Sequence, residues 1–308
     1  MGIKNGLMVR FTEVGKIKIG GKGKWVKTKN GKDMQEIVKF NHFVVTTTEK
    51  GQDGNFVIDQ KIMKTLGPEP KEIAIRLPFD SIEMNFFTSF QYYAGKKCAC
   101  RGDGKNATRW TKEGVEQSVK CNPDKCEFMV PDVKGNTKCK PSGILSCHIP
   151  ASMEAGAVYR FRTHSWHSVS GILAALKYIS DNTNGILQGL PLKMKFLKKA
   201  TAEHGNVNIV TVVLDGIEMM AMRDAALLEY ENRKSLGINM KTLENQAKAV
   251  GFLDDHDDPE DVQTEFYTVD TEPEPKDPGV SADDVKEKIE AKAEKAKPEV
   301  KEGQGSLL

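Results

Sequence analysis

All six cysteines of this 308-residue chain fall between Cys98 and Cys147. They run Cys98-Ala99-Cys100, then Cys121, Cys126, Cys139 and Cys147. The residues between are rich in Gly, Asn, Lys and Pro, which cannot build an apolar core, so this stretch needs a cross-link to hold a fold. A structural zinc ion takes four soft ligands, supplied in pairs from short turns. Bound in a small module, zinc contributes about 10–16 kcal/mol to folding. Cys100, Cys121, Cys126 and Cys139 are the expected thiolate ligands, with Cys98 as the alternative to Cys100. Cys121 and Cys126 stand further apart than the usual two-residue knuckle. Cys147 would share a strand face with Leu145 and Ile149, which makes it a core thiol. Three thiolates with His148 form a further alternative.

Two other fates compete for these thiols. Disulfides need an oxidising compartment. Met1-Gly-Ile-Lys-Asn-Gly6 has no apolar signal region, and no run approaches 18 apolar residues. The expectation is a cytoplasmic protein with no membrane span. Ordinary burial is the other fate, common for free cysteine.

Charge is divided along the chain. The net charge is +2. Residues 254–308 hold 18 acidic and 7 basic residues, leaving 38 basic and 25 acidic in residues 1–253. A basic body attracts phosphate by releasing counterions. The acidic tail can compete for the same surface or dock partner proteins. Its bland role is solubility.

The basic residues alternate with apolar ones, which is the period of a strand. Lys16 and Lys18 flank Ile17. Arg160, Arg162 and His164 alternate with Tyr159, Phe161 and Thr163. Lys193 and Lys195 flank Met194. These strands are expected to pair an apolar face with an exposed basic face able to follow a phosphate backbone. Lysine on a strand can also serve only to block aggregation, whereas arginine makes directional contacts with phosphate. Trp25 and Trp166 are candidate stacking platforms, with core packing as the bland alternative.

The expected fold is α+β: an antiparallel, β-rich core with a few helices, resembling an OB-like barrel in its basic aromatic strands. Turns are expected at Gly20-Gly21 and Asn30-Gly31. Strands are expected at 40–48, 72–77, 144–149, 158–163, 190–198 and 208–214. Residues 80–93 suggest a short helix with an aromatic face. A helix capped by Ser165 or Ser168 carries the stripe Val169, Ile172, Leu173, Leu176 and Ile179. A second, over 217–236, is closed by Gly237. Its methionines suit either core packing or an adaptable partner surface. The chain divides into a basic β-rich part (1–97), the zinc-stabilised Cys-rich insertion (98–147), the rest of the core (148–253) and a tail (254–308). The tail is too polar to offset chain entropy and reads as disordered, with transient helix over 283–297.

The string Phe86-Phe87, Tyr92-Tyr93, Cys100-Arg-Gly-Asp-Gly104, Ala107-Thr-Arg109, Cys121, Cys126 and Cys139-Lys-Pro-Ser-Gly143 resembles the recombination directionality factor-like family of bacteriophages. The resemblance continues through Gly185-Ile-Leu-Gln-Gly-Leu-Pro-Leu192 and covers roughly residues 10–215. It implies a phage accessory protein that binds a serine integrase and turns integration into excision.

No catalytic constellation stands out. Lys22-Gly23-Lys24 lacks phosphate-loop spacing, and no His-x-x-x-His pair occurs. A site with all four positions filled by protein is closed, hence structural. A metal-dependent hydrolase is the outlying alternative. The expectation is a non-enzymatic DNA-transaction protein with structural Zn2+. Its expected partners are DNA, single-stranded rather than double-stranded, and a phage serine integrase. The alternative is a phage single-stranded DNA-binding protein of replication with an acidic docking tail. The residues expected to bind DNA or a partner are Lys16, Lys18, Trp25, Arg160, Arg162, Trp166, Lys193 and Lys195.

Overall fold

A computed structural model describes residues 11–27, 33–94, 97–111, 113–133, 135–152, 156–201, 205–215 and 218–249. Alternating residues make one long strand of Thr12–Lys27 (β1), which pairs antiparallel with Asp33–Lys50 (β2). Gly20-Gly21 does not turn the chain as expected. Both glycines sit inside β1, where the register shifts between Lys18 and Gly20. A Cβ on Gly20 would approach the Val38 carbonyl oxygen to 2.9 Å, so the close backbone needs glycine there. The expected turn at Asn30-Gly31 lies outside the described residues.

The chain then forms Phe56–Ile58 (β3), helix Gln60–Leu66 (α1), Glu72–Ile75 (β4) and a single helical turn, Ile82–Asn85 (α2). The longer helix expected over 80–93 is instead α2 followed by strand Phe86–Ala94 (β5), because Phe86, Phe90 and Tyr92 follow a strand period. Strands Lys97–Gly102 (β6), Asn106–Trp110 (β7), Glu116–Lys120 (β8), Lys140–Cys147 (β9) and Ala157–Thr163 (β10) come next. Helix Trp166–Asn182 (α3) precedes the hairpin Leu192–Thr201 (β11) and Gly205–Leu214 (β12), and the described chain closes with helices Met219–Ser235 (α4) and Met240–Ala249 (α5).

Nine strands form one open sheet in the order β3-β2-β1-β10-β9-β5-β6-β7-β8. The pairing of β1 with β10 is parallel, and the other pairings are antiparallel. A second sheet has the order β12-β11-β4. The α+β class and its antiparallel strands hold, but the OB-like barrel does not: the large sheet ends at β3 and β8 without closing. Strands β6 to β8, which carry part of the Cys-rich segment, continue this sheet.

The core lies between the sheets. Phe43 of β2 meets Phe161 of β10 and Phe196 of β11 edge to face, with ring centres 6.5 and 6.1 Å apart. Ile17, Val45, Leu145, Ile73, Leu192, Met194 and Val210 fill the space around them. Helix α3 begins as its sequence predicts: the Ser165 hydroxyl accepts from the Ser168 N–H. Its stripe Val169, Ile172, Leu176 and Ile179 is buried. Helix α4 ends at Gly237, which has φ 68°. It buries Met222 and Ala226 but exposes Met220, Leu227 and Leu228, so its methionines divide between core and surface. The tail expected to be disordered and the transient helix at 283–297 lie outside the described residues.

Candidate functional site

The cysteine corner grows from the far side of the large sheet. Tyr92 of β5 pairs with Cys100, whereas Tyr93 pairs with Cys98, because the register slips between the two tyrosines. Paired residues share a face and successive residues alternate, so the slip turns Cys100 and Cys98 to opposite faces. Phe128 stacks on Tyr92 at 4.4 Å, on the Cys100 side. Cys121 follows β8, and its N–H donates to the Lys105 carbonyl at 2.9 Å. A Cβ on Gly102 would lie 2.7 Å from the Cys121 sulfur, which sets that thiol against β6 two residues beyond Cys100. Cys126 joins two short 3-10 turns, Pro123–Lys125 and Glu127–Met129. The Cys139 N–H donates to the Phe128 carbonyl at 2.8 Å, so the second pair of cysteines is tied back on itself.

Burial raises the pKa of the Cys100 thiol, and nearby Cys126 and Cys121 raise it further. The Arg109 guanidinium opposes them from β7. It donates toward the sulfur and lies 4.8 Å from the Phe128 ring centre. Burial pushes Cys139 up to about 12, with added repulsion from Cys126, Cys100, Cys121 and Cys98. Among the described residues, no three His, Cys, Asp or Glu side chains are already grouped as metal ligands. Cys147 is fully buried in the core, where burial pushes its pKa up to about 12. His148 turns Nδ1 to the Ala157 carbonyl oxygen, 2.9 Å away.

The basic strand faces are partly as expected. Lys16 pairs with Arg160 across β1 and β10, and Ile17 and Phe161 point into the core. Lys16, Lys18, Arg160 and Arg162 therefore share the outer face. The exposed basic face expected from the arginines does not hold: Arg160 and Arg162 are 8% and 9% exposed and Lys16 6%. The physical reason is Glu13. Arg162 grips its carboxylate with bonds of 3.1 and 2.7 Å, Lys16 reaches it at 2.8 Å, and Arg160 lies 3.5 Å away. Burial opposes ionisation of Glu13, but Arg162 and Lys16 outweigh it and lower its pKa to about 2. His164 contacts the Pro141 carbonyl oxygen at 2.8 Å.

Lys193 and Lys195 belong to the smaller sheet. Lys193 bridges Glu72 at 2.9 Å and Asp215 at 2.8 Å, and Lys195 meets Glu72 at 3.0 Å. Both candidate stacking tryptophans are accessible: Trp25 is 68% exposed on β1 and Trp166 is 50% exposed at the start of α3, beside Phe90.

A further feature lies around residues 51–58, where the sequence analysis named no candidate. A cavity of about 300 Å³ opens at the β3 edge, lined by Lys18, Lys22, Phe40, Asn55, Phe56 and Ile58 among others. The ammonium groups of Lys16, Lys18 and Lys50 lie 4.6, 4.8 and 5.6 Å from the Phe56 ring centre. Asp53 and Asn55 shape the wall, with the Asn55 amide donating to Asp53 at 2.8 Å. Phe56 is the signal in the sequence, an aromatic two residues beyond Gly54 and directly opposite Lys50.

Residues 14–218, about two thirds of the chain, match the Gp3-like family, described as recombination directionality factor-like. The chain belongs to that family, which is related to phage recombination. No curated protein and no solved structure matches it.

Proposed function

We propose that this chain is a non-enzymatic accessory factor of phage recombination that binds a serine integrase on DNA and favours excision. The family match across both sheets carries this reading. The mechanism is differential affinity. A factor that binds one integrase–DNA arrangement better than another shifts the population toward it and changes which reaction proceeds. Such a factor works in the host cytoplasm, and no described helix is long and apolar enough to cross a membrane. The test is recombination by a phage serine integrase on paired attachment-site plasmids, with and without the protein. Stimulated excision with suppressed integration is expected. An unchanged product ratio in the presence of a formed protein–integrase complex overturns the reading.

The corner chemistry fits zinc. Cys100, Cys121, Cys126 and Cys139 would hold the ion, and it would favour the thiolates of Cys100 and Cys139, which burial now disfavours. Its role is structural, fixing β6, β8 and the 3-10 turns together. Purified full-length protein is expected to carry one zinc per chain and to lose it on Cys121→Ser but not on Cys147→Ser. Metal-free protein with reactive, titratable thiols sinks the site.

A second reading, a single-stranded DNA binder, is favoured by Trp25 and the lysines around Phe56, since stacking and phosphate contacts tolerate any sequence. It requires binding to single strands that weakens steeply with salt.

A further inference from the structure

One charged side chain reaches across the cysteine corner. Arg109 of β7 stands directly opposite Cys100 of β6, so the two side chains share a face. Its guanidinium lies 4.8 Å from the Phe128 ring centre, and Phe128 stacks in turn on Tyr92, the neighbour of Cys100 on the other side. Nη1 of Arg109 is 3.3 Å from the Glu127 carboxylate, in the 3-10 turn that follows Cys126. The Phe128 carbonyl oxygen accepts from the Cys139 N–H. Nε of Arg109 is buried and makes no hydrogen bond among the described residues. A buried N–H without an acceptor is uncommon in a folded protein and calls for one.

We propose that Arg109 is the positioning residue of the zinc site: its guanidinium donates to the Cys100 thiolate and offsets the charge of a centre built from four sulfur ligands. The inference rests on the zinc reading above. Zinc held by four thiolates carries a net negative charge, and a fixed cation beside it stabilises the deprotonated set. A thiol is a weak acceptor, whereas hydrogen bonds to an ionised acceptor are strong, so the contact gains its strength once the metal has displaced the proton. Arginine suits the place, because its plane can rest on Phe128 while its N–H fork faces sulfur.

The same contact selects among the cysteines. The register slip between Tyr92 and Tyr93 turns Cys98 and Cys100 to opposite faces. Cys98 directs its sulfur to the Cys100 carbonyl oxygen, 3.6 Å away. Cys100 is the one that Arg109 faces, so Arg109 makes it, rather than Cys98, the ligand from β6. Glu127 does not cancel the cation. Their ion pair is exposed to solvent on both sides, 36% at Arg109 and 68% at Glu127, which leaves it weak. It orients the guanidinium and leaves its charge available to the sulfurs.

The experiment compares the full-length wild type with two variants of the full chain. Arg109→Met keeps a flexible apolar side chain on Phe128 but has no N–H, and Arg109→Lys keeps the charge without the planar fork. Zinc affinity is read by competition with a chromophoric chelator. Cobalt(II) is then loaded in place of zinc to read the thiolate-to-metal charge-transfer band. Arg109→Met is expected to bind zinc about 10–100-fold more weakly. Its cobalt band should move to longer wavelength, since a thiolate that loses a hydrogen bond gives up electron density more easily. Arg109→Lys should recover part of the affinity, and Cys98→Ser should bind as the wild type does. Cys147, buried in the core, must stay unreactive to alkylation in every variant, which shows that the fold is kept. Wild-type affinity and an unmoved band in Arg109→Met overturn the proposal and leave the zinc site standing. A loss that Arg109→Lys does not recover, with an unmoved band, also overturns it, because Arg109 would then only pack on Phe128. Loss of zinc in Cys98→Ser overturns the selection of Cys100. Wild-type protein that gives neither bound zinc nor a cobalt–thiolate band refutes the zinc reading, and this proposal with it.

Discussion

Single residues explain why the basic strands do not behave as a simple exposed surface. Glu13 gathers Lys16, Arg160 and Arg162 around one buried carboxylate. Its pKa is lowered from 4.5 to about 2. A depressed carboxylate stabilises the fold above its unfolded pKa, and that stability is lost as pH falls from about 4.5 through about 2. The shift corresponds to about 3 kcal/mol at neutral pH. Acid titration of the wild type should therefore show a steep stability loss in that window, and Glu13→Gln should flatten it. At neutral pH the variant should lose about 3–5 kcal/mol in chemical denaturation, because it leaves buried cations with a weaker partner. A parallel pH profile in the two proteins would show that Glu13 is not the anchor. Gly143 is constrained differently. A Cβ there would lie 2.5 Å from the Phe86 ring and 3.2 Å from Val169. Gly143→Ala should cost about 1–3 kcal/mol by overpacking, while the ring-shortening Phe86→Leu change in the same protein should recover part of it.

Between elements, the carboxyl-terminal helices are held by polar staples rather than by a continuous apolar stripe. Arg233 of α4 binds Asp80 and Glu229, and Asp80 in turn accepts the Leu187 and Gln188 N–H groups at 2.9 Å. Glu244 of α5 accepts from Asp80 and Ser81 at 2.7 and 2.9 Å. Leu227, Leu228 and Leu243 meanwhile remain exposed. Glu244→Ala leaves two backbone N–H groups without their carboxylate, so hydrogen exchange over α5 should rise while α3 stays protected. Unchanged exchange over α5 would mean that its apolar contacts suffice. The same contrast explains what the sequence showed. Helix α3 was legible because Val169, Ile172, Leu176 and Ile179 repeat at helical spacing behind the Ser165 cap. Helix α5 was not, since its stabilising partner lies 164 residues away at Asp80. Residues 80–93 read as one helix, although β9 and β6 supply strand neighbours on both sides from Phe86 onward, and Gly20-Gly21 read as a turn because a glycine pair signals flexibility equally in a bend and in a close strand crossing.

Across the whole molecule, two kinds of stability meet in one sheet. The half around β2, β1 and β10 packs Phe43, Ile17 and Phe161 against the smaller sheet. The other half ends in β7 and β8, where Glu116, Gln117 and Ser118 are exposed and the buried residues thin out to Ala107 and the cysteines. Cysteine spacing located this weak end from the sequence, because only six positions had to be read. The pairing of basic strands with Glu13 was invisible, since it depends on β1 lying parallel to β10 across more than 140 residues. If zinc supplies what the corner lacks, removing it should be a local event. Treating the protein with a chelator should increase hydrogen exchange over 97–139 and raise thiol reactivity at Cys100, Cys121, Cys126 and Cys139, while Phe43, Phe161 and Phe196 keep their protection. Cys147 should remain unreactive throughout, because its burial belongs to the core. Simultaneous loss of protection in both halves would instead mean that the metal, rather than the two-sheet core, holds the entire fold.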